Sequence, residues 1–321
     1  MIRSAALTVA LLAVAVAPAL ASGGPIAGVS VGKAGVTAPG LASRYTALRA
    51  RGGTLITAVE RRGGRVIATR FIDRRLVVPA VAIDGSATGL SADGGTLVLA
   101  SPRGFGRRHS DFVVFDAARL TVQKSIRLRG DFTLDAISPD GGSLYLIETT
   151  SRDQTRYRVR AYDVGAGRLL PGAIVDPEEA EEPMRGNPVA RTLSADGRWA
   201  YTLYDGADGP HPFIHALDTV AGRAKCIDLD GLSTDQVYEM ALRLRGSNLD
   251  VGSPAVLTVD TRTWDVRRAG SVAPAAPVVS DEAGGLGWVW PVIGVALLAL
   301  MAVVALRMGR RRTGDIGQLH L

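Results

Sequence analysis

The chain of 321 residues has a single cysteine, Cys226, so no intramolecular disulfide can form and the fold must stand on its packed core. Histidine is almost as scarce: His109, His211, His215 and His320 are the only four. They form no Cys/His metal set, and a turn leading into an apolar run separates His211 from His215, unlike the shared helix face of an HExxH pair. The sequence also lacks a GxSxG elbow, a glycine-rich phosphate loop ahead of a helix, and the ligand spacing of an EF-hand. Neither a metal nor a cofactor is therefore expected. Only Lys33, Lys124 and Lys225 among the 37 basic residues are lysines, a bias that with abundant Ala and Gly points to a GC-rich bacterial genome.

The ends carry most of the charge asymmetry. Residues 1–21 combine Arg3, an apolar stretch from Ala5 to Ala17 and the small-x-small sequence Ala19-Leu20-Ala21, which is the pattern of a cleaved export signal. Residues 288–306, "WVWPVIGVALLALMAVVAL", hold no charge, and at about 1.5 Å per residue a helix of that length covers about 28 Å, close to a bilayer core. Trp288 and Trp290 stand where interfacial aromatics belong. Arg307, Arg310, Arg311 and Arg312 follow, which places residues 307–321 in the cytoplasm and the rest of the mature chain outside. Without these four arginines, Arg3 and Asp315, the exported part carries 32 bases against 30 acids, so the net charge of +6 gives no reason to expect a nucleic-acid partner. Residues 22–43 are expected to be a flexible leader, although a strand completing the last repeat is also compatible with them. Residues 271–287 are rich in Pro, Ala and Gly and are read as a linker.

Between the ends one pattern recurs. "LSADGGTLVLA" (90–100), "ISPDGGSLYLI" (137–147) and "LSADGRWAYTLY" (193–204) repeat a turn followed by an alternating apolar run. Asp93, Asp140 and Asp196 are followed after 23, 23 and 22 residues by Asp116, Asp163 and Asp218, each closing another apolar run. Asp and Gly are turn-forming at such places, because Asp can accept from its own downstream backbone and Gly tolerates positive φ. Each unit thus reads as four strands. Two fainter copies flank the three: residues 44–60, where Gly52-Gly53-Thr54-Leu55 is aligned with Gly94-Gly95-Thr96-Leu97 and "RLVVPAV" is taken as the fourth strand, and residues 239–251, followed by "AVLTVD" and "TWDVRRAGSV".

A repeat of this length cannot bury both faces of its sheet alone and must stack on its neighbours. The Ser-Pro/Ala-Asp-Gly turn with its following strand resembles the repeats of YVTN-type and related WD-like β-propellers over roughly residues 44–270. The resemblance implies an all-β propeller fold; the repeats counted here supply five four-stranded blades, where the commonest family form has seven, followed by the transmembrane helix. In some members it accompanies lactonase or quinoprotein activity, which the fold itself does not transmit.

The long connections all fall on one face of such blades. They supply the candidate ligand-binding residues: Arg103, Arg107, Arg108 and His109 in "SPRGFGRRHSD", Glu178, Glu179, Glu181 and Glu182 in "VDPEEAEEPMRGNP", and His211 in "YDGADGPHP". The bland reading of the glutamates is a solvated acidic loop paired with those arginines. Asp135, Arg191 and Glu239 are the charged residues near the expected channel, and Asp135 with Glu239 is the catalytic pair to test for a lactonase-like or glycan-active hydrolase. The reading favoured is a binding or scaffold module held to the membrane by one span, with an envelope protein, peptide or glycan as partner. A signal-transmitting role is disfavoured by a 15-residue tail.

Overall fold

The computed structural model describes residues 35–270 apart from 103–107, 152–155, 183 and 208. The expected signal, linker, membrane span and tail lie outside the described residues, as do Arg103 and Arg107. Among the described residues no helix is long and apolar enough to cross a membrane.

Five antiparallel sheets follow one another along the chain. The first contains β1 (Ser43–Ala50), β2 (Gly53–Glu60) and β3 (Val66–Ile72), and the second β4 (Thr96–Ala100), β5 (His109–Asp116) and β6 (Thr121–Arg129). The third has β7 (Phe132–Ile137), β8 (Ser143–Thr149), β9 (Tyr157–Asp163) and β10 (Arg168–Leu169). The fourth has β11 (Pro188–Leu193), β12 (Trp199–Tyr204), β13 (Phe213–Asp218) and β14 (Arg223–Asp228). After the short helix α1 (Thr234–Val237), the fifth has β15 (Leu242–Arg245), β16 (Asn248–Gly252), β17 (Ala255–Asp260) and β18 (Val266–Arg268). Every sheet is a meander whose spatial order equals its chain order, which is consistent with successive blades of a β-propeller.

The repeated turn has one hydrogen-bond network written three times. Asp93 accepts from Ser91 Oγ (2.5 Å) and Gly95 N (2.8 Å), and Thr96 N donates to Ser91 Oγ (2.9 Å). Asp140 with Ser138, Gly142 and Ser143, and Asp196 with Ser194, Arg198 and Trp199, reproduce it. These donors hold the Asp140 and Asp196 carboxyls below the usual range, the serine hydroxyl contributing most. Gly141 takes φ +74°, and a Cβ there would sit 2.2 Å from Thr96 Oγ1 of the preceding sheet. The turns also touch one another: Asp93 N donates to Pro139 O (3.1 Å). The second set of aspartates caps the turns after the third strands, with Asp116, Asp163, Asp218 and Asp260 accepting from Arg119, Ala166, Ala221 and Arg262 N.

The first sheet departs from the sequence alignment by one strand. In the other four sheets the residue after the third strand donates to the residue before the second: Ala117 to Gly95, Val164 to Gly142, Thr219 to Arg198, Thr261 to Ser247. In the first sheet the same bond runs from Arg61 N to Ala42 O, so β1, β2 and β3 hold the second, third and fourth places. Val36, from the segment expected to be a leader, takes the first place by exchanging two 2.8 Å bonds with Tyr45. Gly52-Gly53 is therefore not equivalent to Gly94-Gly95. Gly53 answers a different demand, since a Cβ there would lie 2.1 Å from the Ile72 carbonyl of the adjoining strand. "RLVVPAV" is not a fourth strand either. Val77 bridges Ala100, and residues 79–88 form a hairpin through Val81 N to Ser86 O and Thr88 N to Pro79 O. The first strand expected in the second sheet is reduced to the bridge Leu90 to Leu97.

Apolar clusters join each sheet to the next. Tyr45, Ile56, Leu97 and Phe115 bind the first to the second, Phe112, Leu134 and Leu144 the second to the third. Tyr145 and Val159 meet Leu217 at the third seam, and Leu203 and Ile214 meet Leu249 and Val259 at the fourth. This is the burial that a single sheet of alternating pattern cannot achieve.

Removing the turn network is expected to cost stability without changing the fold. Asp140→Ala should lower it by about 1–2 kcal/mol, because two donors lose their acceptor, and Gly141→Ala should cost more through strain at Thr96. Urea midpoints of the two variants measure this. A midpoint for either that equals the parent's contradicts the structural role.

Candidate functional site

A cleft of about 180 Å³ opens at the seam between the third and fourth sheets. One side is the segment between β10 and β11, which begins as a 3-10 turn at Pro177–Glu179 capped by Asp176. The other side comes from the connection between β12 and β13 and from the end of β14. Asp176, Glu179, Glu182, Asp228, Cys226 and His211 converge there, with Arg185 as the basic member. Of the residues singled out from sequence, the structure brings together Glu179, Glu182 and His211. Glu178 and Glu181 are exposed outside the cleft, and Arg108 and His109 lie exposed at the start of β5 on the second sheet.

Of the arginines expected to pair with the glutamates, Arg103 and Arg107 lie outside the described residues; among the described residues Glu178 is met by Lys225. Lys225 Nζ lies 2.6 Å from Glu178 Oε2 and 3.1 Å from Asp176 Oδ2. Asp176 also accepts from Cys226 N (2.9 Å) and Glu178 N (3.0 Å). Burial opposes its charge, yet these donors hold its carboxyl below the usual range. Glu179 goes the other way. Burial first, then the Asp228 and Asp176 carboxylates, push its carboxyl up. Burial first, then the Glu179, Asp176 and Asp228 carboxylates, push the Cys226 thiol up, away from the thiolate form. Cys226 is half buried at the cleft. Asp176, Glu179 and Cys226 bring ligand-type atoms within 4.8 Å of one another. Asp176, already saturated by two N–H groups and an ammonium, has little left to offer a metal, so the cluster alone does not define a metal site.

Asp135 and Glu239 do not form a catalytic pair. Asp135, on β7, is 3% exposed and accepts from Arg191 Nη1 of β11 at 2.5 Å, while Glu239 is exposed just beyond α1. The same guanidinium nitrogen donates to Thr202 Oγ1 (3.2 Å). The inner edge of β11 is further covered by the 79–88 hairpin, through Ile83 N to Pro188 O, Asp84 N to Val189 O and Arg191 N to Asp84 Oδ2. Asp135 is thus committed to an internal ion pair, not presented to a substrate.

His215 lies behind the cleft on β13. It is 2% exposed, with Nδ1 3.9 Å from Cys226 Sγ, its ring edge-on to Tyr204, and no partner at Nε2 among the described residues. Burial lowers its pKa to about 4, with Asp135 opposing and Arg191 assisting. Sequence reasoning missed Asp176, Asp228 and Cys226 because their meeting depends on which strand end abuts which connection. The only local signal was the alternating "AKCIDL".

No protein-family model matches the sequence, and no curated protein matches it. Among solved structures the chain is similar to Kuenenia stuttgartiensis hydrazine synthase, with TM-score 0.41 and 16% identity over 75% of this chain and 79% of that one. It is also similar to a putative TolB from Agrobacterium tumefaciens (TM-score 0.39, 16% identity, 70% and 76% covered). A third is the Cps50 (Swd1) β-propeller domain of Myceliophteria thermophila (TM-score 0.41, 11% identity, 73% and 72% covered). Likenesses this distant transfer no ligand or activity.

Two stability measurements check the interior. Asp135→Ala or Arg191→Ala alone should cost about 3–5 kcal/mol by stranding a buried charge, whereas Asp135→Leu with Arg191→Met should cost far less. Equal losses in single and double variants contradict the ion-pair account. His215 is neutral in the fold, so the unfolded chain binds more protons between pH 6.5 and about 4. Stability is therefore expected to fall as pH drops through that window, by up to about 3 kcal/mol relative to His215→Gln. Parallel pH profiles for parent and variant contradict it.

Proposed function

We propose that the chain is a membrane-anchored, extracytoplasmic β-propeller that works as a binding module, receiving a basic side chain of an envelope protein or peptide in the acidic seam cleft. The export signal and stop-transfer pattern support the placement. The observation that carries the reading is the crowding of Glu179, Glu182, Asp228 and Asp176 around one cleft with a single arginine. Burial first, then the Asp228 and Asp176 carboxylates, raise Glu179, and the carboxylate share of that rise is mutual repulsion. An entering cation relieves that repulsion. Lys225 shows how an ammonium is held here, bridging Asp176 and Glu178. Met184, Phe213 and Pro210 supply apolar wall for the stem of a lysine or arginine. A hydrolase reading finds no support in Asp135 and Glu239.

The test is binding of hexalysine to the full chain in detergent at low and at physiological salt. Saturable binding is expected, weakened by salt because charges attract across a wet cleft, and at least tenfold weaker in Glu179→Gln/Glu182→Gln. Binding should strengthen as pH rises through the raised titration of Glu179. An absence of binding at low salt, or identical binding by the double variant, overturns the reading.

A further inference from the structure

The acidic cleft has a counterpart one repeat pair earlier, at the seam of the first and second sheets, and its charge is reversed. Asp116 and Asp218 close the equivalent strands β5 and β13, so Asp111 corresponds to Phe213, and Val113 to His215. Their register partners then correspond as well: Arg127 to Asp228 and Ser125 to Cys226. The segment arriving from the preceding sheet touches the same point in both. Asp176 Oδ2 accepts from Cys226 N (2.9 Å), and Arg74 Nη1 donates to Ser125 Oγ (3.1 Å). Where the fourth sheet has an acidic cleft, the second has one of about 710 Å³ lined by Arg74, Arg75, Arg127, Ser101, Ser125 and Asp111.

The arginines are placed before any ligand arrives. Thr54, 1% exposed, donates from Oγ1 to Arg74 O (2.8 Å) and accepts from Leu76 N (2.8 Å), clamping the backbone on both sides of Arg75. Arg127 is held by Asp111, with Nε at 2.7 Å from Oδ1 and Nη2 at 3.4 Å from Oδ2. Only that guanidinium is neutralised. Arg74 donates to a neutral hydroxyl, and among the described residues Arg75 makes no ion pair. Two uncompensated guanidinium forks on a fixed turn, a third on the facing sheet and two serine hydroxyls are donors suited to oxyanions.

We propose that this cleft binds an anionic ligand presenting two phosphate or carboxylate groups, one to Arg74 and Arg75 and one to Arg127. A concave wall carrying three guanidinium groups against one carboxylate focuses the attraction, and the cleft volume suits a small ligand. The inference is independent of the basic-segment reading, since it uses a different seam and the opposite charge.

Calorimetric titration of the full chain in detergent at low ionic strength tests it, with pyrophosphate and a short-chain cardiolipin, whose headgroup carries two phosphates, as probes. One-to-one saturable binding of at least one probe is expected. Arg74→Ala and Arg75→Ala should each weaken it at least tenfold, and Asp111→Asn should strengthen it severalfold by releasing Arg127. Arg243→Ala on the fifth sheet and Glu179→Gln should leave it unchanged. The tighter probe tells a soluble diphosphate-like ligand from a lipid headgroup. Binding of neither probe, binding that Arg74→Ala and Arg75→Ala leave intact, or equal weakening by Arg243→Ala overturns the proposal.

Discussion

A single aspartate oxygen, accepting a serine hydroxyl and the amide two residues onward, is the interaction on which the repeated architecture rests. It closes the turn between the first and second strands of the repeats at Asp93, Asp140 and Asp196. A turn this tight lets neighbouring turns meet, as Asp93 N does with Pro139 O and Gly141 with Thr96. With the turns in contact, the sheets are brought face to face and their alternating apolar residues become inter-sheet clusters instead of exposed surface.

The same constraint divides the molecule into a conserved-geometry end and a variable one. In the Ser-x-Asp-Gly turns the serine hydroxyl and one aspartate oxygen are already used within the turn. The opposite connections are not so bound, and side chains at matched positions can differ in charge while the backbone repeats. Arg127 and Asp228 occupy one such position, Ser125 and Cys226 another. A repeat fold thereby gains two clefts of opposite sign from one geometry.

The repeat itself was legible in the sequence because its turn needs specific residues, and the aspartates at 93, 140 and 196 and at 116, 163 and 218 stand in the turns their spacing indicates. The first sheet was misaligned by one strand because Gly52-Gly53-Thr54-Leu55 looks like Gly94-Gly95-Thr96-Leu97. The two arise from unlike demands: a close approach of the Ile72 carbonyl at Gly53, and the Ser-x-Asp-Gly turn at Gly94. The sequence puts Glu179, Glu182 and His211 in long connections of one face, and the cleft at the third seam brings these three together. Their companions Asp176, Asp228 and Cys226 could not be read from the sequence, since they are brought in by the register of β13 on β14 and by the cap of a 3-10 turn. Asp135 was visible as a charged residue on an inner strand, but its commitment to Arg191, 56 residues away, is a tertiary fact.

The most direct test of this division is amide-resolved native-state hydrogen exchange on the full chain. The account predicts that the amides of Gly95, Gly142 and Arg198, which donate to the turn aspartates, exchange only through openings nearly as costly as global unfolding. The amides of the connecting segment 178–182 and of Gly206, Ala207, Gly209 and His211 should exchange through much cheaper local openings. Turn amides that exchange as fast as those segments would contradict the claim that the turns set the frame.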